Sequence, residues 1–250
     1  TTLNGLPIPS NNPSRKNITL DLFSTGIVQK IDINKIYNGT IYGDFGGANV
    51  NIISKEHVGK PSLEIGIGSA TNSNLSGNFY LQDGPNFSGF YTINYPTNAL
   101  TGYNFTTSWD NVSKTPIATN ISIKGGKKYQ IGNEGSFNLF ATASFSSEYK
   151  FKEGISRGSV NAQGLAFTDY TFKAYDYNTN TTAMLNAAYK VNAKNKYKFN
   201  SLFINSTSQS LDEYSGVINV FDNASNGGGF VKRATFDKTA LFVNQFLGNH

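Results

Sequence analysis

The chain has 250 residues, of which only 15% are charged, and its 21 Lys and Arg against 16 Asp and Glu give a formal charge of +5. These cations form no dense basic patch, which argues against nucleic-acid binding. The absence of Cys excludes disulfides and thiolate chemistry, and two His leave little scope for a histidine metal site or a catalytic triad. No apolar run reaches the ~18 residues of a membrane-spanning helix. With 14% aromatic residues and 25 Gly, the composition favours an all-β chain.

The first 58 residues predict a small mixed α/β unit. Residues 3–6 indicate a short strand that meets a turn, and an Asn- and Ser-rich loop with three prolines follows. Asp21 is a candidate N-cap for a short helix, and 30–36 and 50–53 are candidate strands. The Gly-rich stretch 43–47 lacks the G-x-G-x-x-G pattern and a following Lys-Ser/Thr, so we interpret it as a structural turn rather than a phosphate-binding loop.

From Lys60 onward, apolar residues recur at every second position, as they do in strands with one apolar face. The alternation is interrupted in the last two strands by Leu202, Ile204 and Phe242. Both a soluble β-sandwich and a transmembrane β-barrel show this period. The predicted strands are 63–67, 117–123, 137–149, 183–191, 197–205 and 234–246.

The connections between these strands favour the barrel. Tight turns are predicted at 132–135 and 192–195, with a third at 248–250, and long polar loops at 70–115, 151–179 and 208–232. Short turns on one side and long loops on the other are typical of outer-membrane barrels. Aromatic residues near the predicted strand ends suit an interfacial girdle. They are Tyr129, Tyr149, Phe151, Tyr189, Tyr197 and Phe199.

Three segments, taken in order and spacing, resemble the plug domain of TonB-dependent receptors. Residues 2–7 (TLNGLP) resemble the family's L-N/D-G-x-P turn, and 23–33 (FSTGIVQKIDI) its I-E-R-I-E-V segment. Residues 41–55 (IYGDFGGANVNIISK) match Y-G-x-x-x-G-G-x-x-N-I-x-T-K. The strands from 180 to 205 and from 241 to 250 are similar to barrel hairpins of Bacteroidota receptors, a group that includes SusC-like transporters. The segment 35–40 departs from the family because it lacks the usual Pro.

The resemblance implies a mainly β protein in the bacterial outer membrane. Residues 1–58 would be the C-terminal half of a plug, and 59–250 about six antiparallel strands of a barrel of roughly 22. We therefore expect the chain to be a piece of a longer protein. The implied function is import of a glycan, peptide or metal chelate by plug movement. The implied partners are TonB with ExbB and ExbD, a SusD-like surface lipoprotein, outer-membrane lipids and lipopolysaccharide.

Candidate ligand-binding residues lie in two loops. In the family the loop after 2–7 faces the extracellular cavity, and here it carries Ser10, Asn11, Asn12 and Arg15. In the long first loop of the barrel region, Tyr95, Tyr103 and Trp109 offer aromatic faces on which a sugar or peptide can stack.

Nothing in the sequence predicts an enzyme, a metal site or a cofactor. The segment from Asp222 departs from a calcium loop because position three is Ala224 and position twelve is Arg233. We assign His57 to a linker between the two regions. Two alternatives to the transporter stay open: a receptor-like barrel that is a structural subunit of an outer-membrane complex, and a soluble β-sandwich adhesin.

Overall fold

The computed structural model describes residues 1–11, 18–39, 41–43, 45–71, 75, 78–81, 87–91, 112–164, 166–217 and 228–249. The fold is mainly β and its large sheet is antiparallel, as predicted. The strands are β1 Thr2–Leu3, β2 Leu6–Pro7, β3 Val28–Asn34, β4 Asn49–Ser54, β5 Ser62–Ala70, β6 Phe79–Leu81, β7 Val112–Lys114, β8 Ala118–Ile131, β9 Gly135–Arg157, β10 Asp169–Lys190, β11 Lys196–Val217 and β12 Gly229–Asn249.

The N-terminal region forms a small four-stranded sheet in the order β2-β1-β4-β3, which we call the small unit. Asn4 and Gly5 connect β1 to β2 with φ of 51° and 85°, the left-handed backbone that a two-residue hairpin turn requires. Residues Leu20–Leu22 form a single 3-10 turn. Asp21 lies inside this turn and Thr19 precedes it without a side-chain cap, so the predicted N-cap at Asp21 is wrong.

The second sheet has six strands in the order β5-β8-β9-β10-β11-β12 and is antiparallel throughout. The turns predicted at 132–135 and 192–195 are confirmed between β8 and β9 and between β10 and β11. The turn predicted at 248–250 is wrong for its described residues, because β12 continues to Asn249, which pairs with Lys196. Residues 248 and 249 therefore extend the ladder instead of reversing it.

Two of the predicted long loops are much shorter than expected. β9 and β10 remain paired as far as Arg157 and Asp169, and β11 and β12 as far as Gly216 and Gly229. These strand ends carry a second buried apolar cluster on the outer face, in which Tyr175, Tyr177 and Leu211 pack against Phe79 and Leu81 of β6. Within the predicted 70–115 loop, β6 pairs with β7, and most of the other residues lie outside the described part of the chain.

The large sheet has two chemically different faces, and alternate side chains along each strand point to opposite faces. The small unit packs on one face, which we call the inner face. On the opposite, outer face, cross-strand neighbours form a continuous apolar row: Ile65, Ile123, Ala143, Ala183, Phe203 and Phe242. A second outer row near the tight turns is aromatic: Tyr129, Phe137, Tyr189 and Tyr197.

Residues 87–91, the outer strap, cross the outer face over β9 to β12. The rings of Phe87 and Phe145 lie 5.6 Å apart, and Phe90 stacks on Phe203 at 6.3 Å. Asn205 donates a hydrogen bond to the Gly89 carbonyl at 3.1 Å. Gly89 has φ of 75° and sits directly over the Thr179 hydroxyl, so a side chain here would be excluded both by the backbone and by contact.

Candidate functional site

The interface between the small unit and the inner face of the large sheet is the candidate functional site. Its centre is one buried apolar cluster that draws side chains from both sheets. Leu202 and Ile204 interrupt the alternation of β11 because they point inward and meet the small unit, where polar residues would otherwise face water. The small unit contributes Leu3, Ile8, Ile18, Leu22, Ile27 and Ile52, and the large sheet Phe140, Met184, Leu202, Ile204 and Leu241.

A chain of amide hydrogen bonds surrounds the Asn4–Gly5 turn. The Asn4 amide donates to Gln245 Oε1 at 2.9 Å, and Gln245 Nε2 donates to the Leu3 carbonyl at 2.8 Å. Asn4 Oδ1 in turn accepts from the backbone N–H and the hydroxyl of Ser54, at 3.0 and 3.1 Å. The hairpin turn therefore positions the Asn4 side chain to form hydrogen bonds with both β4 and β12. Gln245 is 4% exposed, and its Oε1 also accepts from the Asn200 amide at 3.4 Å, so its buried side chain is held from both the turn and β11.

A carboxylate and two ammonium groups join the end of the small unit to β11. Glu56 Oε2 lies 2.8 Å from Lys196 Nζ, and Glu56 Oε1 lies 3.2 Å from Lys198 Nζ. Lys198 also donates to the Ser54 hydroxyl at 3.1 Å and is nearly buried. Burial raises the pKa of the Glu56 carboxyl, but the hydrogen bonds and charges of Lys196 and Lys198 outweigh burial and lower its pKa below the ordinary value. The triad thus holds a charged carboxylate between the two sheets.

His57 connects the small unit to β5, which is consistent with the predicted linker. Its imidazole is 7% exposed and lies over Gly126 of β8, where an added Cβ would come within 2.5 Å of His57 Nδ1. A glycine at this point of β8 therefore makes room for the ring. Among the described residues, His57 Nε2 has no hydrogen-bond partner.

A polar cleft of about 400 Å³ separates the small unit from β5, β8 and β9. Hydroxyl, amide and charged groups line it: Ser24, Thr25 and Lys55 on one side, and Glu64, Asn120, Ser122, Lys124 and Ser144 on the other. Ser24 and Thr182 hydroxyls lie 3.2 Å apart, and Thr182 and Ser144 hydroxyls 2.7 Å apart. The Ser24–Thr182 contact joins the small unit to β10, and because it is a neutral contact that water can replace, it holds less firmly than the apolar cluster.

Beyond the small unit, the inner face of the long strands carries a charged and aromatic cluster. Arg233 donates two hydrogen bonds to Asp212 Oδ2, at 2.7 and 3.1 Å, and a third to the Tyr214 hydroxyl at 2.9 Å. Tyr170 meets Tyr214 edge to face at 5.4 Å. Burial, together with the charge of Asp212, raises the pKa of the nearby Asp176 carboxyl. Sequence reasoning did not single out the partners of Arg233, because Asp212, Tyr214 and Tyr170 fell in stretches interpreted as loops.

The predicted ligand residues are only partly within the described chain. Ser10 and Asn11 lie in the loop after β2, and Asn11 Oδ1 accepts a hydrogen bond from the Thr19 backbone at 3.1 Å. The structure thus gives Asn11 a loop-bracing contact. The other predicted ligand residues lie outside the described residues: Asn12, Arg15, Tyr95, Tyr103 and Trp109.

Sequence reasoning missed the residues that join the two sheets. A usable signal existed for the lysines, because Lys196 and Lys198 share one face of β11 by the period of two. Their partner Glu56 follows the family-like segment by one residue, and nothing in the chain order indicated that these would meet. Lys196 and Glu56 are 140 positions apart in the chain, so their hydrogen bond is visible only in the tertiary structure.

Within the described residues, no three His, Asp or Glu side chains lie close enough to hold a metal ion. None of the described helical turns has the length and apolar character needed to cross a membrane. No protein-family model matches the chain, and neither a curated protein nor a solved structure is similar to it.

Proposed function

We propose that the chain belongs to a TonB-dependent transporter of the bacterial outer membrane. In this proposal residues 1–58 are the C-terminal half of the plug and 59–250 the first strands of the barrel wall. Where the outer strap and β6 leave it uncovered, the outer face of the large sheet meets lipid, and the inner face lines the lumen. The tight turns face the periplasm and the long strand ends extend outside the cell.

One observation carries the proposal: a small β unit is seated on one face of an antiparallel meander whose opposite face carries apolar and aromatic rows toward the tight turns. Exposed fractions of Ile67, Phe242 and Phe246 reach 82%, 67% and 74%, far more than a soluble sheet of this size normally leaves in water. The aromatic row near the turns is the arrangement expected at a membrane interface. The outer apolar rows and the inner polar groups together favour the barrel over a sandwich.

The interface suggests how a plug would be both held and released. The apolar cluster and the Glu56 triad anchor the small unit to β10, β11 and β12. The polar cleft lies on the side of β5, β8 and β9. A pull by TonB, energised by ExbB and ExbD, would separate the hydroxyl contacts first because water substitutes for them at little cost. The cleft would then widen into a path for a glycan, peptide or metal chelate.

Ligand contact is proposed at the extracellular end. The Arg233 cluster lies on the inner wall, where it would face a ligand above the plug. Ser10, Asn11, Asn12 and Arg15 on the plug loop, and Tyr95, Tyr103 and Trp109 in the first loop, remain proposed contacts. A SusD-like lipoprotein would close this cavity from outside.

A reversible tether between plug and wall tests the transport function. The chain has no native Cys, and the hydroxyls of Ser24 and Thr182 are 3.2 Å apart, so Ser24→Cys with Thr182→Cys places two thiols within bonding reach. Cells would be grown on a glycan, a peptide mixture or an iron chelate as the limiting nutrient, with TonB present or deleted. We expect one nutrient to require both the protein and TonB, and the oxidised tether to abolish its uptake until a reductant is added.

The matched control joins two wall strands instead. Ser144 and Thr182 are directly opposed on β9 and β10, so Ser144→Cys with Thr182→Cys should oxidise without blocking uptake. Two results together would instead indicate a structural subunit. Loss of the protein would impair membrane integrity, and neither its loss nor the oxidised tether would reduce the uptake of any nutrient. Recovery of the chain without detergent would favour the soluble adhesin.

A further inference from the structure

The outer face of the large sheet contains an apolar groove of about 680 Å³ where β5, β8 and β9 meet. Its floor is made of small residues, Gly125, Ala141 and Ala143. Larger side chains, including Leu63, Ile123 and Leu139, stand around it. Leu63 is 70% exposed, so the groove is open along its length to whatever surrounds the sheet.

The groove arises from the way β5 ends. β5 pairs with β8 only as far as the Ser62–Gly126 pair, after which Pro61 leads the chain away, while β8 continues to Ile131. At Gly125 an added Cβ would lie 3.0 Å from the Ser62 carbonyl and 3.2 Å from Leu63 Cδ1. A larger residue would therefore crowd β5 and fill the floor. The groove opens toward the tight-turn end, where β8 has no neighbour on its β5 side among the described strands.

The ammonium group of Lys127 lies at that open end of the groove. Lys127 follows Gly125 by two positions, so both lie on the outer face, and the Lys127 ammonium lies 4.8 Å from the Tyr129 ring centre. Tyr129 belongs to the aromatic row near the tight turns. In the described part of the chain, no carboxylate forms an ion pair with Lys127. A lysine on a lipid-facing surface reaches for the headgroup level, where phosphates provide the counter-charge.

We propose that this groove is a binding site for one glycerophospholipid, with an acyl chain lying between Leu63 and Leu139 and the phosphate on Lys127. The site rests on the proposed function, since the groove meets lipid only if the sheet lies in a bilayer. The apolar floor matches a hydrocarbon chain, and the single cation at one end matches an anionic headgroup. Because Lys127 is near the tight turns, the lipid belongs to the leaflet on that side, and lipopolysaccharide on the opposite side is not its occupant.

Native mass spectrometry of the full-length protein, purified from membranes in mild detergent and depleted of lipid, tests the site. The probe is dipalmitoylphosphatidylglycerol, and retention of one molecule is measured over a concentration series. Ala141→Leu fills the exposed floor and should weaken retention about tenfold, and Lys127→Gln should weaken it about fivefold. Two controls match these changes elsewhere: Ala240→Leu on the outer face of β12, and Lys194→Gln in the exposed turn. Both should bind like the unaltered protein.

The outcomes separate this inference from the proposed function. Equal retention by all five proteins, or stronger binding of purified lipopolysaccharide than of the phospholipid, would overturn the lipid site. A protein that requires detergent and imports its nutrient, yet retains no phospholipid, would overturn it while leaving transport intact. A protein that stays in solution without detergent would overturn both the lipid site and the transport function.

Discussion

At the residue scale, Glu56 is the charge that joins the small unit to β11. Glu56→Gln leaves the nearly buried Lys198 without its counter-charge, and we expect the free energy of unfolding to fall by about 2 kcal/mol. Urea unfolding in detergent micelles measures this. Glu64→Gln is the control, since the pair of Glu64 with Lys124 is largely exposed and its loss should cost less than about 0.5 kcal/mol. Equal losses for the two variants would mean that the Glu56 triad is no stronger than a surface pair.

The same carboxylate predicts a pH dependence. Because the pKa of Glu56 is lowered in the folded protein from its ordinary value of 4.5, its contribution to stability is fully present above pH 4.5. It is lost as the pH falls below 4.5 through the folded pKa, where the carboxyl takes up a proton. The stability difference between the unaltered protein and Glu56→Gln should therefore be constant near neutrality and shrink in acid. A difference that grows on acidification would contradict this assignment.

At the element scale, the outer strap covers a polar part of the outer face. Thr207 is 2% exposed and its hydroxyl bonds to that of Thr179 beneath Gly89. We expect Gly89→Ala to lift the strap, since the methyl group would collide with Thr179 and the φ of 75° disfavours any side chain. In a protein with Thr207→Cys as its only cysteine, adding Gly89→Ala should make that cysteine react with a maleimide at least tenfold faster, because the site opens locally more often.

Gly164→Ala controls for the backbone cost alone. Gly164 has φ of 80°, and nothing lies within 4 Å of an added Cβ. Gly164→Ala should not change the rate at which the cysteine of Thr207→Cys reacts with the maleimide. If both variants expose that cysteine equally, general destabilisation rather than the strap contact is responsible.

At the scale of the whole molecule, β5 and β12 are the two edges of the large sheet. Among the described residues neither edge has a further partner strand, and the 21 residues of β12 include no proline. An edge of this length is a template for pairing with another chain. We expect these 250 residues, expressed by themselves in detergent, to self-associate in a concentration-dependent way, as measured by size-exclusion chromatography with light scattering. A monomer at every concentration would show that the edges are protected.

The sequence by itself located the six strands of the large sheet and the two described tight turns. Alternation with a period of two and turn dipeptides are local properties, so they are visible without a fold. The change of composition and spacing near residue 60 falls between the strands of the four-stranded sheet and those of the six-stranded sheet. The length of the strands was not predictable, since the apolar residues of the strand ends, Tyr175, Tyr177 and Leu211, are covered by Phe79 and Leu81 from a distant segment.

Only the tertiary structure decided how the two sheets meet. Leu202 and Ile204 looked like irregularities until the small unit was found packed against them. Glu56 and Lys198, or Asn4 and Gln245, are polar residues far apart in the chain, and hydrogen bonds of this kind leave no periodic signal. The groove at Gly125 likewise depends on where β5 stops relative to β8. Such features come from register and packing between distant segments, which no window of sequence contains.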